Sequence, residues 1–261
     1  MVDSALSRRT ILGLFAGAAA LAIGGPEARA EHARMSRLIE KAHELPSIGA
    51  RIDFISRALL GAPYRGHTLI GGPRRPEKFV TRDDVFDCVT YCEAVLAAAM
   101  VRKADDYADT LRHIRYRDGA VDWRERNHYF SQWCERNVAN RKCRPVAVPG
   151  GATFDKTLAY MPELGAQRMQ LAAVPRESLL SNKELLASGD IIGFLSQRPK
   201  LDYFHIGFVI VAPDGGLWLR HASKSRRRVL DEPLVRFLNL NRVKAVTVLR
   251  AMEPESLTAL I

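Results

Sequence analysis

The chain changes its hydrophobic period near residue 180, and that change restricts its fold more than any other feature. Ahead of it, apolar residues recur at helical spacing. Behind it come four short β-type runs at 190–195, 204–212, 217–222 and 243–250. A strand shows alternate residues to opposite faces whereas a helix repeats about every 3.6, so the two parts call for different elements. Pro213-Asp214-Gly215-Gly216, between the second and third runs, has the chemistry of a tight hairpin turn. Helices first and an antiparallel β-meander or small barrel last make an α+β domain over residues 31–261, with no boundary that divides it.

Within the first part, Ile48, Ile52, Ile55 and Leu59 set a helix over 47–60 that Gly61-Ala62-Pro63 stops, and residues 32–44 form another. Residues 61–83 are rich in Gly, Pro and Arg and read as a long ordered loop, a kind of segment that often carries function. Val89, Cys92, Leu96 and Ala99 share one face of a helix from 88 to 102, and further helices are expected over 105–115 and 127–139. The stretch 144–180 fits no single period. With 47% hydrophobic and 26% charged residues, the composition is that of a globular protein and excludes collagen-like and disordered chains. Four cysteines in 261 residues are too few for a disulfide-stapled scaffold.

The first thirty residues read as an address. Ser7-Arg8-Arg9-Thr10-Ile11-Leu12 is a twin-arginine pattern, an apolar run reaches from Ile11 to Ile23, and Ala28-Arg29-Ala30 is a small-x-small cleavage signature. The run is short for a membrane span, which takes about 20 residues. Export to the periplasm is therefore expected. The net charge is +10, and the densest basic stretch is Arg226-Arg227-Arg228. A basic balance often signals nucleic acid. An exported protein instead meets anionic wall polymer and lipid headgroups, so no nucleic-acid partner and at most peripheral membrane contact are expected, for a monomer.

The chemistry converges on one cysteine and two histidines. Asp87-Cys88 stands where the irregular loop hands over to a helix, so Cys88 should open that helix. Free backbone N–H groups and the helix dipole there favour a thiolate and could hold an oxyanion. A free cysteine is, by itself, more often a small buried hydrophobe. A nucleophile also needs a base within reach, and the base needs an orienting partner. His205 lies early in its strand, facing opposite to Ile206, Phe208 and Ile210, and His221 closes the next one. With a turn at 213–216 the two strands pair and the histidines become near neighbours.

Four pieces in order, Gly61-Ala62-Pro63-Tyr64, Phe86-Asp87-Cys88-Val89-Thr90, His205-Ile206-Gly207-Phe208 and Leu219-Arg220-His221-Ala222-Ser223, resemble the NlpC-type cell-wall cysteine peptidases, which are circularly related to papain. Longer stretches, among them Asp87 to Glu93, Ile114 to Gly119, Arg126 to Trp133 and His221 to Lys224, resemble the exported N-acetylmuramoyl-L-alanine-amidase-like subset. The resemblance covers most of residues 48–250 and implies a papain-like fold. It also implies Cys88 as nucleophile, His205 as general base and acid, His221 as the group that orients it, and Tyr64 as a supplement to the oxyanion hole. Val89-Thr90 stands where the family often has Ser-Gly, a departure that bears on endopeptidase specificity. The implied substrate is peptidoglycan or a muropeptide. The bond cut joins the lactyl group of N-acetylmuramic acid to L-alanine, or, in an endopeptidase, follows D-glutamate in the stem peptide.

Both substrates carry carboxylates, for which Arg65, Arg117 and Arg126 are candidate contacts. The segment 126–133, with His128 among its aromatics, suits a sugar or peptide groove and equally suits a helix packed into the core. Cys92 lies one turn beyond Cys88, but no C-x-x-C or H-E-x-x-H spacing supports zinc, so neither metal nor cofactor is expected. Cys134 and Cys143 could pair after export. The alternative to a hydrolase is a non-catalytic module that binds anionic wall polymer or a membrane surface.

Overall fold

The computed structural model describes residues 33–254, so the proposed signal segment lies outside the described residues. The architecture is α+β. Helices α1 (Ala33–Ala42) and α2 (Ile48–Ala58) come first, α2 beginning at Ser47, whose side chain accepts from the Ala50 amide. Then come α3 (Cys88–Met100), α4 (Tyr107–Arg115) and α5 (Phe130–Ala139), each within a few residues of its expected span. Helix α3 is buried from Thr90 to Met100, as its run of Ala, Val and Leu requires of a helix apolar on every side. Its one buried acid, Glu93, is neutralised by Arg115 of α4 at 2.7 Å.

The long loop contains a small hairpin that its composition did not reveal, β1 (Ile70–Gly72) with β2 (Arg75–Lys78). It carries Glu77 inward to accept from Tyr116 and Arg126 at 2.8 and 2.9 Å. Residues 144–180 supply β3 (Cys143–Pro145), β4 (Ala152–Leu158), β5 (Gln167–Pro175) and α6 (Arg176–Ser181). The expected runs become β6 (Ile191–Leu195), β7 (Tyr203–Val211), β8 (Leu217–Ser223) and, at the end, β10 (Ala245–Ala251). Between the last two lie β9 (Arg228–Pro233) and α7 (Leu234–Leu240), both unanticipated.

The eight-stranded sheet runs β4-β5-β10-β6-β7-β8-β9, with β3 also on β10, and every pair is antiparallel. Strand alternation divides the sheet's side chains between two cores. Ile206, Phe208 and Ile210 face α2 and α3, while Val209, Leu219, Val246 and Val248 join Phe237 and Leu238 of α7 on the other side. The meander β6 to β9 thus lies between the N-terminal helices and α7, and the start of β7 comes beside the first turn of α3.

Candidate functional site

Helix α3 begins where it does because Asp87 caps it. Its carboxylate accepts from the amides of Val89 and Thr90 at 3.0 and 2.8 Å, and the Thr90 hydroxyl accepts from the Asp87 amide at 2.9 Å. Such a cap is worth about 1 kcal/mol. It places Cys88, half-buried, at the first helical position and at the wall of an open cavity of about 880 Å³. The cap also takes up the Thr90 N–H, shares the Val89 N–H with the sulfur, and sets a carboxylate beside that sulfur. The amides of Ile206, Cys88 and Val89 reach the sulfur, but burial and the Asp87 charge outweigh them and push the thiol up to about 12. Both effects favour the neutral thiol, against the thiolate that the helix terminus was expected to favour.

Tyr64 is brought to the same cavity by backbone pairing. Its amide donates to the Arg227 carbonyl at 2.9 Å, and the flanking residues exchange bonds with Phe86, just ahead of the cap. Burial and the neighbouring Cys88 and Asp87 push its hydroxyl up to about 12, so it stays protonated and can donate at neutral pH.

His205 also lines the cavity, one residue from the Ile206 amide that meets the sulfur. Its ring stacks on Phe194 at 6.1 Å and 16° and lies 5.4 Å from Phe237. Burial and the adjacent His221 lower its basicity well below the usual imidazole range. The register that pairs Phe208 with Arg220 sets His221 across from Gly207. A Cβ at 207 would lie 2.9 Å from the Cβ of His221, so the glycine makes the room that lets the second ring reach the first. His205 Nε2 and His221 Nδ1 are 2.5 Å apart, and His221 Nε2 is 2.8 Å from Glu232 Oε1.

Of the other anticipated residues, His128 lines the cavity. It bonds the Trp123 carbonyl at 2.6 Å, packs 4.4 Å from that indole, and is lowered by burial to about 4. The three arginines do not line it. Arg65 is exposed, Arg117 pairs with Glu125, and Arg126 is held by Glu77. The cations at the cavity are Arg198, in the loop after β6, and Lys224, at the end of β8. Lys156 of β4 stitches that loop by donating to the carbonyls of Ser196, Leu201 and Arg198. Tyr160 supplies an aromatic wall from the β4–β5 connection. Sequence reasoning missed Arg198 and Tyr160, although the polar run Ser196-Gln197-Arg198-Pro199 between two β-type runs was a signal for the first.

Among the described residues no group of three or more His, Cys, Asp or Glu is placed to hold a metal, Cys92 is enclosed in the core, and Cys134 and Cys143 are free thiols. No described helix is long and apolar enough to cross a membrane.

The α+β frame that carries this site is shared with known structures. Residues 54–246 match the model of the AmiA-like, N-acetylmuramoyl-L-alanine amidase-like family, and the chain belongs to that family. It is 27% identical to an N-acetylmuramoyl-L-alanine amidase from Bacteroides uniformis ATCC 8492, with a TM-score of 0.71 over 79% of this chain and 99% of that one. A protein from Legionella pneumophila str. Philadelphia 1 shares the fold at 21% identity, with a TM-score of 0.74 over 86% of this chain and 97% of its own. A Bacteroides fragilis protein described as a xylanase is 26% identical, with a TM-score of 0.67 over 75% and 99% of the two chains. No curated protein sequence matches the chain.

Proposed function

We propose that this protein is a cysteine-dependent amide hydrolase of peptidoglycan or its fragments, of the NlpC, papain-like type, and that it cuts the bond between N-acetylmuramic acid and L-alanine. The observation that carries this reading is one cavity lined both by Cys88, which opens a helix, and by His205, itself bonded to His221. An ordinary thiol is only a few per cent ionised at neutral pH, and this one is less acidic still, so it needs a base at the moment of attack. His205 takes the Cys88 proton as the sulfur bonds to the amide carbonyl carbon. The oxyanion is met by the Tyr64 hydroxyl and the Cys88 amide. Collapse breaks the C–N bond, and the leaving amine departs with the proton held by His205. Water then loses a proton to His205, attacks the thioester, and releases the acid and the thiol.

Arg198 and Lys224 give the cavity a positive rim suited to stem-peptide carboxylates, and neutral His128 offers a hydrogen-bonding edge rather than a charge. Glycoside hydrolysis requires two carboxylates flanking the scissile bond. The cavity offers only Asp202, and both of its oxygens are already bonded, to Ser131 and to the Tyr203 amide. Residues 1–30, read as a twin-arginine signal, would deliver the enzyme to the periplasm, where such substrates reside.

The test is incubation with defined muropeptides and weighing of the products. Free N-acetylmuramic-acid glycan plus an intact peptide supports the amidase reading, and cleavage after D-glutamate supports the endopeptidase alternative. Cys88→Ala should abolish turnover while the unfolding free energy from urea titration changes by no more than about 1 kcal/mol. Undiminished turnover in that variant would overturn the mechanism.

A further inference from the structure

The two-histidine contact continues one residue further, to a group that the sequence pattern did not single out. Glu232 lies on β9, two residues past the Leu230 that pairs with His221, so strand alternation turns both side chains to the face that carries the ring. We propose that Glu232 is a positioning residue that acts through His221 to fix His205, a residue of the cavity wall, as the Nε2–H tautomer, leaving its Nδ1 without a proton. The inference rests on the cysteine-hydrolase reading for its purpose, but its geometry stands apart from it.

An ionised carboxylate only accepts, so the 2.8 Å contact with Glu232 makes His221 Nε2 the donor. A neutral imidazole with its proton on Nε2 has a lone pair on Nδ1. At 2.5 Å, that lone pair must be met by an N–H, which His205 Nε2 supplies. His205 then has no proton left for Nδ1, the nitrogen that must take one from a thiol. Burial keeps both rings neutral, lowering His205 strongly and His221 as well, the latter against the pull of Glu232.

Among the described residues, the nearest neighbours do not compete with this arrangement. Phe237 of α7 packs on both rings at 5.4 and 5.5 Å and offers no polar atom. Asp231, the other acid near His221, is occupied by Arg220 through two bonds of 2.7 and 2.8 Å. Were His221 to gain a proton, its Nδ1–H would donate to His205 Nε2 and drive the His205 proton to Nδ1, the unproductive form. Glu232 thus sets the direction of the whole chain, and removing it leaves the direction unset.

The experiment uses the full chain with nitrogen-15-labelled histidine. Long-range nitrogen–proton correlation spectra at neutral pH should assign the Nε2–H tautomer to both His205 and His221. In Glu232→Leu, at least one ring should lose it. On a muropeptide, kcat should fall by about 10²-fold in that variant with KM little changed, as expected when general-base catalysis fails. Iodoacetamide alkylation of Cys88 at neutral pH should slow in parallel. Glu232→Gln keeps an oxygen that can accept, so it should fall between wild type and leucine, and it serves if the leucine variant does not fold. An Nδ1–H proton on either wild-type ring, or unchanged tautomers and kcat in both variants, would overturn the proposal. If the wild type shows these tautomers yet cleaves no muropeptide, the hydrolase reading fails while the assignment stands.

Discussion

At the scale of single residues, Asp87 sets two demands against each other. As the cap of α3 it fixes where Cys88 sits, and as a charge beside the sulfur it opposes ionisation. Asp87→Asn separates the two, because asparagine caps a helix about as well as aspartate while carrying no charge. Stability should change by less than about 0.5 kcal/mol, and the thiol should ionise at lower pH. The measurement is the rate of Cys88 alkylation against pH, whose rise should move toward neutrality in the variant. An unmoved profile would show that burial alone, without the carboxylate, holds the proton on sulfur. Lowering thiol basicity also lowers nucleophilicity, so faster labelling need not bring faster turnover.

At the scale of elements, the approach of β7 to β8 decides whether the two imidazoles can meet. Gly207 has no room for a Cβ, which would fall 2.8 Å from the Leu219 side chain and 2.9 Å from the Arg220 carbonyl. Gly207→Ala must therefore push the strands apart where the rings touch. The expected cost is about 1–3 kcal/mol in unfolding free energy, with about 10²-fold lost in kcat/KM, the usual effect of an ångström of misplacement at a site. A variant that loses stability but keeps its kcat/KM would separate the glycine from the imidazole pair. Much of this geometry was legible in the sequence. Helix spacing around Ile52 and Val95, the turn at 213–216, and period two through Phe208 located α2, α3 and the β7–β8 hairpin, and with them Cys88, His205 and His221. Strand β9 was not legible, because Asp231 and Glu232 break its apolar pattern. They do so in order to bond Arg220 and His221, partners visible only once the strands are paired. The arginines misled for a related reason, since a charge that could bind substrate and one that locks a hairpin to a helix, as Arg126 does with Glu77, read alike along a chain.

At the scale of the whole molecule, the same burial that keeps the site's imidazoles neutral ties stability to pH. His128, His205 and His221 are all lowered by burial, whereas in an unfolded chain each takes up a proton near pH 6.5. Below that value the unfolded state binds more protons than the folded one, so stability rises with pH across the window and is lost as the solution is acidified through it. For His128 the window runs from about 6.5 down to about 4. Glu93 works in the opposite sense, because burial raises its carboxyl in the folded state despite Arg115. Asp84 and Asp109, lowered by Arg82 and Arg112 on the surface, act only below the usual carboxylate value and weakly, as screened exposed pairs do. The first loss on acidification should therefore be that of the histidines. Urea midpoints of the wild type should fall between about pH 6.5 and pH 4.5. In His128→Gln, whose amide nitrogen can take the place of Nε2 as donor to the Trp123 carbonyl, they should fall less over the same interval. Parallel curves for the two proteins would mean that His128 is not held neutral in the folded state, and would remove the basis for reading it as an uncharged contact in the cavity.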